Sequence, residues 1–290
     1  MQIPVSLISA IILAPLSAGY LSALLFGHRS PVLPLPGLLF HSVLPNPKMN
    51  MSHYSTARFK EFLLCLKKNE YSTLTLSQAA QMAHTKEKRC LITFDDGMEC
   101  VYTQVLPLLA EFNINSTIFC IAGFTDQTSS WDIFDGQKHL SKQQIRKLSD
   151  SGHEIGSHTL THANLPFLND KDLERELNDS KKILEDITGK EIKTISFPYG
   201  SWNEHVWEKA RQSGYSSATL YRNHKRISSG LFPVYGVYRF DKPYDIMDRL
   251  RKSRFSASIA TAILMSHFSK GTPVVKFRKN YVIRKGSLLT

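Results

Sequence analysis

Asp95 and Asp96 stand side by side in "CLITFDDGMEC", just after the apolar run Leu91 to Phe94. Two carboxylates that close raise each other's pKa unless positive charge lies between them. Asp-Asp-Gly is also ordinary turn chemistry, so the pair alone admits a plain bend. It equally admits a site in which a metal ion takes one carboxylate while the other moves protons. "HEIGSHTLTH" places His158 and His162 four residues apart. On a helix both imidazoles would share a face; in a tight loop they can still converge. Two histidines and a carboxylate form a facial ligand set that leaves coordination positions open for water and substrate. Taken alone, the histidine pair reads more readily as an incidental surface pair. His153, just upstream, reads as structural.

The intervening chain must bring these residues together. "TARFKEFLLCLKKN" puts Phe59, Phe62, Leu63 and Leu66 at helical spacing with lysines opposite. "VYTQVLPLLAEFN" and "SWNEHVWEKARQSG" also read as helices. "SKQQIRKLSDSG" opens with Ser141, carries Gln144 three residues on and closes on Gly152, a capping box with a glycine stop. Leu173, Leu177, Ile183, Leu184 and Ile187 define a further helix ending at Gly189. Between these lie strand-like runs: "YSTLTL", residues 91–94, "STIFCIAGF", "HEIGSH", "TISFPYG" and "SSATLY". Alternation of strand and helix at intervals of about 25–50 residues argues for βα units and a mostly parallel sheet. With so many units a closed or nearly closed barrel follows, and in parallel α/β folds chemistry gathers at the C-terminal strand ends. Asp95-Asp96, His158 and Pro198-Tyr199 each follow a strand-like run, so all three are aimed at one rim.

The 290 residues, 42% of them hydrophobic, suffice for one large α/β domain. Lys and Arg outnumber Asp and Glu by 36 to 25, a net +11 that favours anionic surroundings. The basic residues are scattered, with no aromatic-interleaved stripe, which argues against nucleic acid as a partner. Cys65, Cys90, Cys100 and Cys120 form no CxxC pair and read as free thiols, weakly favouring a reducing compartment. Residues 1–27 carry no charged side chain and are long enough to cross a bilayer, for which ~20 apolar residues suffice. They read as an uncleaved hydrophobic anchor, giving a membrane-associated protein, with a signal segment and secretion as the alternative. Residues 28–36 then form a Pro-rich linker, 37–270 the catalytic domain and 271–290 a basic C-terminal tail.

TFDDG, SHTLTH and SFPYG, in that order and with "SKQQIRKLSDSGHEIGSHTLTHANL" between the first and last, resemble the polysaccharide deacetylase family, the NodB-homology carbohydrate esterases. The resemblance covers the 37–270 region. It implies an α/β fold, a distorted (β/α) barrel with mostly parallel strands. It also implies Asp95 as general base, Asp96, His158 and His162 as ligands of one divalent metal ion (zinc first), and the Pro198-Tyr199 turn at the substrate, with a backbone N–H near Tyr199 completing an oxyanion site. The proton for the departing amine would come from His267, expected at the end of a late strand, or from His41 on an early one. The implied reaction removes an N-acyl group, N-acetyl first, from an amino sugar in a polysaccharide or a lipid-linked glycan at a membrane surface. Two departures stand out. Relatives carry an arginine just before the Pro-Tyr turn that pairs with the base; this chain has Ser196 and Phe197 there, and Arg222 or Arg239 would have to substitute. No Asp-Trp motif is evident, and Trp202 and Trp207 are explained as packing. A catalytically silent carbohydrate-binding or scaffold protein with the same fold is the competing expectation.

Overall fold

The computed structural model describes residues 35–47, 50–82, 87–129, 136–221, 229–251 and 257–269. In chain order these form β1 (Gly37–Phe40), β2 (Ser42–Leu44), β3 (His53–Ser55), α1 (Thr56–Lys68), β4 (Ser72–Leu74), α2 (Leu76–Gln81) and β5 (Arg89–Phe94). A π-helical turn at Val101–Val105 leads into α3 (Leu106–Phe112), followed by β6 (Thr117–Cys120), α4 (Lys142–Asp150), β7 (Glu154–Ser157) and α5 (Asp170–Thr188). The chain continues through β8 (Thr194–Ser196), α6 (Glu204–Gln212), β9 (Ser217–Tyr221), β10 (Leu231–Gly236), α7 (Pro243–Leu250) and α8 (Ala257–Ser269).

Seven strands close on themselves in the order β1-β10-β9-β8-β7-β6-β5, because β1 pairs with both β10 (Gly37↔Val234) and β5 (Phe40↔Phe94). Every pairing in this ring is parallel. All seven C-terminal ends therefore open on one rim, which is what the site needs. β4 pairs with the first residues of β5 (Ser72↔Arg89), ahead of the point where β6 joins at Thr93↔Thr117. Strands covered on both faces read as continuous apolar runs rather than alternating ones, and β5, β6, β8 and β9 are buried almost throughout.

The helices pack their apolar stripes on the outside of the ring. Phe59, Phe62, Leu63 and Leu66 are the buried positions of α1, the spacing its sequence carries. Phe40, Phe59, Phe62 and Phe94 form one aromatic cluster with ring centroids 5.2–6.2 Å apart. Ser141 and Gln144 make the capping box that starts α4, a device that stabilises a helix by about 1 kcal/mol. Gly189 ends α5 in the left-handed conformation. His153 is structural: its Nδ1 lies 3.1 Å from Ser116 Oγ beneath the sheet. All four cysteines are free.

Three expectations are corrected. The segment ending at His267 is not a strand but the helix α8: thirteen residues rich in Ala, Ile, Leu and Met favour a helix over a strand of that length. The last barrel strand is instead β10, "LFPVYG", whose Pro233 argues against a central strand. Pairing with β1 begins one residue later, at Gly37↔Val234, so the absent N–H falls outside that ladder. The expected membrane association is also overturned: among the described residues no helix is long and apolar enough to cross a membrane. The 1–27 segment that carried that expectation, and the 271–290 tail, lie outside the described residues.

Candidate active site

The register of two strands places the aspartates. Asp95 leaves β5 still tied to β1, its N–H donating to Phe40 O at 3.0 Å. Asp96 and Gly97 then take left-handed conformations in succession, φ 70° and 62°. Gly97 is required twice over, since a Cβ there would meet Cys120 Cα at 3.0 Å. A left-handed aspartate is unfavourable by itself, and His139 holds the turn by donating from Nδ1 to Asp96 O at 2.9 Å. The bend and the site are thus the same structure: the turn is what swings the Asp96 carboxylate across the mouth of the barrel.

The histidines converge through a loop, not a helix. His158 follows β7, its N–H bonded to Cys120 O at 2.8 Å. Thr159 and His162 both have positive φ, 68° and 60°, so the chain coils tightly enough to return the second imidazole to the first; the ring centroids are 4.9 Å apart. Glu176 on α5 clamps this coil. Its Oε2 accepts from the N–H groups of Leu160 and Thr161, both at 2.9 Å, and its Oε1 accepts from Thr161 Oγ1 at 2.5 Å. Glu176→Ala leaves those donors, the buried Leu160 N–H among them, without their acceptor. It is expected to lower affinity for a bound cation about 10–100-fold, as removal of a group behind a ligand does, with Glu176→Gln recovering part of the loss. Cation titration of the three proteins measures this; equal affinity in all three would remove the clamp from the account.

Asp96, His158 and His162 offer three ligand atoms within 4.8 Å of one another, all buried. Asp96 Oδ1 lies 3.4 Å from His158 Nε2 and 3.6 Å from His162 Nε2. Tetrahedral bonds of ~2.1 Å put neighbouring ligand atoms ~3.4 Å apart, so the spacing fits a cation held between them. The donor chemistry fits as well. His158 Nδ1 donates to Ser196 O at 2.8 Å, so in the neutral ring that would hold a cation Nε2 is the lone-pair nitrogen. Burial favours the neutral form of both carboxylates, yet they end up divided. Asp95 stays above the usual carboxylate range, its burial reinforced by the charge of Asp96 and only partly offset by His158, His41 and a hydrogen bond from Ser196. For Asp96, burial is outweighed by the hydrogen bond from His158 and the charges of His41, His162 and His158, which hold it well below that range. His158 is raised: burial opposes its charge, but Asp95 and Asp96 prevail. The cluster keeps Asp96 ionised and leaves Asp95 as the carboxyl able to take a proton.

Asp95 Oδ2 is 3.8 Å from His158 Nε2 and accepts from Ser196 Oγ at 2.9 Å. Its Oδ1 is buried and makes no hydrogen bond to the described residues, so one acceptor is left unpaired beside the ligand cluster. Ser196 thus stands where the sequence suggested a missing arginine and itself anchors the carboxylate. Arg239 instead donates from Nη1 to Pro47 O at 3.2 Å, and Arg222 lies outside the described residues. His41 interrupts β1 and β2 one residue after Phe40, beside Asp95, and its charge acts on both aspartates. Tyr199 has φ 60° within the Pro198–Gly200 turn, its ring 4.5 Å from that of His162. Trp207 is core, and Trp202 stacks on Phe197 at 6.2 Å. The side chain of His267 lies outside the described residues. Ser196, His139 and Glu176 complete the site. Only Ser196 had a signal in the sequence, its place before the Pro-Tyr turn; nothing local marks a helix glutamate or a loop histidine as a clamp.

Comparison with known proteins agrees with this geometry. The family model described as polysaccharide deacetylase matches residues 83–218. The chain is 30% identical over 185 residues to the Bacillus subtilis protein YxkH, covering 62% of each. It is 36% identical over 132 residues to a peptidoglycan-N-acetylglucosamine deacetylase of Bacillus cereus, covering 45% of this chain and 55% of that one. The chain therefore spans less than two thirds of the length of these curated relatives. Among solved structures, the Streptococcus pyogenes deacetylase PplD, in complex with acetate, shares the fold with a TM-score of 0.66 at 19% identity, over 74% of this chain and 97% of that one. The matched segment contains both aspartates, both histidines and the Pro-Tyr turn, and over that segment the chain is similar to the polysaccharide deacetylase family.

Proposed function

We propose that the protein is a metal-dependent hydrolase that removes an N-acetyl group from an amino-sugar glycan. The observation that carries this reading is the meeting of Asp96, His158 and His162 around one point, with Asp95 beside them and one of its buried oxygens unpaired. Relatives named as deacetylases of peptidoglycan N-acetylglucosamine, chitooligosaccharide and poly-β-1,6-N-acetyl-D-glucosamine support an amino-sugar glycan as the substrate class. Asp96, His158 and His162 would hold the cation, with zinc the first choice for two imidazoles and a carboxylate in a tetrahedral spacing. When bound, such an ion acts as a Lewis acid toward the amide carbonyl and makes water easier to deprotonate.

The residues of the chain then divide the proton work. Asp95 accepts a proton from the attacking water as the new C–O bond forms, its orientation kept by Ser196. The C–N bond breaks, and the amine nitrogen leaves with a proton from a histidine. His41 is the first candidate for that step: it adjoins Asp95 across the β1–β5 ladder, and its Nδ1 is buried with no hydrogen bond to the described residues. His267 is the second candidate, since α8 packs against the Pro198–Gly200 turn. The turn itself supports the oxyanion through a backbone N–H near Tyr199.

The test is acetate release from N-acetylglucosamine oligomers by the protein as purified, after chelation and after readdition of zinc. Release that chelation stops and zinc restores is the expected result. Stoichiometric zinc without any release would favour the silent carbohydrate-binding alternative. Within the same assay His41→Ala and His267→Ala are compared, and the variant that loses turnover while keeping its cation identifies the acid.

A further inference from the structure

Parallel barrels are usually filled by layers of bulky branched side chains. One part of this inner wall is not. Ile195, Ala218 and Leu220 belong to the core beneath the helices. The residues that alternate with them on β8 and β9, Thr194, Ser196, Ser217 and Thr219, therefore point into the ring. Gly156 on β7 faces the same way, since a Cβ there would meet Phe119 Cδ1 at 2.5 Å and Thr194 Oγ1 at 2.7 Å. Leu39, Leu91, Phe119, Tyr221 and Val234 form small clusters separate from the helix-facing core and fill the rest of the interior. Gly156 and the four hydroxyl residues make a patch of small side chains among them.

Register sets the hydroxyls in two rows, Thr194 beside Ser217 and Ser196 beside Thr219, and all four residues are buried. Other hydroxyls of the inner wall are bonded to protein. Thr93 Oγ1 donates to Leu38 O at 3.1 Å, and Thr117 Oγ1 donates to Glu154 Oε2 at 2.9 Å. In the two rows only Ser196 is so bonded, through its donation to Asp95. Thr194 Oγ1, Ser217 Oγ and Thr219 Oγ1 make no hydrogen bond to the described residues. Buried hydroxyls rarely stay unpaired, and where protein supplies no partner an ordered water with two or more polar neighbours does. Neighbouring strands lie about 4.8 Å apart. Hydroxyls projecting in parallel from them stand too far apart for a direct bond of ~2.8 Å, but close to the span of two such bonds meeting at one water. The lower row leads toward solvent, because Ser217 also lines a cleft of about 780 Å³ at the N-terminal strand ends, with Arg89, Lys193, Ser216 and Phe232.

We propose that Thr194, Ser217 and Thr219 line an internal water site in the barrel core, and that the water held by Thr219 donates to Ser196 Oγ, fixing the hydroxyl that orients Asp95. The consequence for catalysis rests on the deacetylase reading of the central site; the water site itself does not. Ser196 commits its single O–H to Asp95 Oδ2, so whatever reaches its lone pairs must be a donor. Water can donate there while it accepts the O–H of Thr219. A hydroxyl engaged at both ends is hindered from rotating away from the carboxylate, and each bond in such a chain strengthens the next. Thr219 is a positioning residue in this scheme, acting on Asp95 through the water and Ser196.

The test uses the full chain as wild type, Thr219→Val, Thr219→Ser, Thr194→Val, Ser196→Ala and the Ser196→Ala/Thr219→Val double variant. Crystal structures should show a water within ~3 Å of both Thr219 Oγ1 and Ser196 Oγ in the wild type, and none there in Thr219→Val. Valine matches threonine in shape, so the sign of the Tm change is informative. Tm falls in both valine variants if the hydroxyls hold water, and rises if they are simply unpaired. Thr219→Val should lower kcat for acetate release about three- to ten-fold, with KM and bound zinc unchanged, and Thr219→Ser should recover most of the loss. Because Thr219 acts through Ser196, adding Thr219→Val to Ser196→Ala should lower kcat no further. No water at that place, or a raised Tm, would overturn the site. A lowered Tm with kcat unchanged, or losses that add in the double variant, would overturn the positioning of Asp95 and leave the water purely structural. If the wild type released no acetate, the deacetylase reading would fall. Electron density, Tm and the Ser196–Asp95 distance in the two crystals would still decide the water site and its hold on Ser196.

Discussion

Asp95→Asn is expected to lower kcat by about 10²–10⁴ while the protein keeps its full complement of cation, the range that a positioned general base contributes. The substitution is close to isosteric. An amide oxygen can still accept from Ser196 Oγ, which bonds Asp95 Oδ2 at 2.9 Å, so the side chain should hold its place. What disappears is the capacity to take a proton. Asp96, not Asp95, lies between the two histidines, so the ligand set is untouched. The loss should therefore fall on kcat, with KM little changed, the signature of an interaction needed only in the transition state. Metal analysis beside steady-state kinetics checks both halves. Unchanged turnover with the cation retained would remove Asp95 as the base, and loss of the cation would make it a ligand instead.

Much of this arrangement could be read in the chain because the same residues serve local structure and chemistry. The strands ending at Phe94, Ser157 and Ser196 are short and almost wholly buried, as parallel strands covered on both faces are, and Asp95, His158 and Ser196 stand at their ends. Phe59, Phe62, Leu63 and Leu66 were legible as a buried helix face, and Ser141 with Gln144 as a helix start, since caps and stripes depend on neighbours in sequence. The pieces that escaped depend on neighbours in space. β10 is masked by Pro233, which is harmless only because of the register in which β1 arrives. The apolar run before His267 resembles a strand end only when cut short at the histidine; over its full thirteen residues it forms α8. Ser196 could be seen as a departure from the resemblance, but not as its remedy: the hydrogen bond spans 101 residues of sequence. Glu176 and His139 act on backbone atoms, which no side-chain motif records.

Ser196 also allows the roles of ligand and base to be separated by a pair of variants. His158→Ala removes an imidazole whose Nε2 faces Asp96 Oδ1 at 3.4 Å. The expected result is loss of stoichiometric cation and of detectable acetate release, with affinity falling further than the ~10–100-fold typical when only a supporting group is removed. Ser196→Ala should behave differently, because the two bonds made by this residue come from different atoms. Its carbonyl, which accepts from His158 Nδ1 at 2.8 Å, survives the substitution; its hydroxyl, which holds Asp95, does not. The cation should stay bound, and kcat should fall by about ten-fold, the equivalent of one hydrogen bond to a charged group, with Ser196→Thr restoring part of it. Metal content and kcat measured on both variants decide the matter. Cation loss in Ser196→Ala would mean that the hydroxyl, not the backbone, orients the ligand. Full zinc occupancy in His158→Ala would mean that the three side chains are not the metal site.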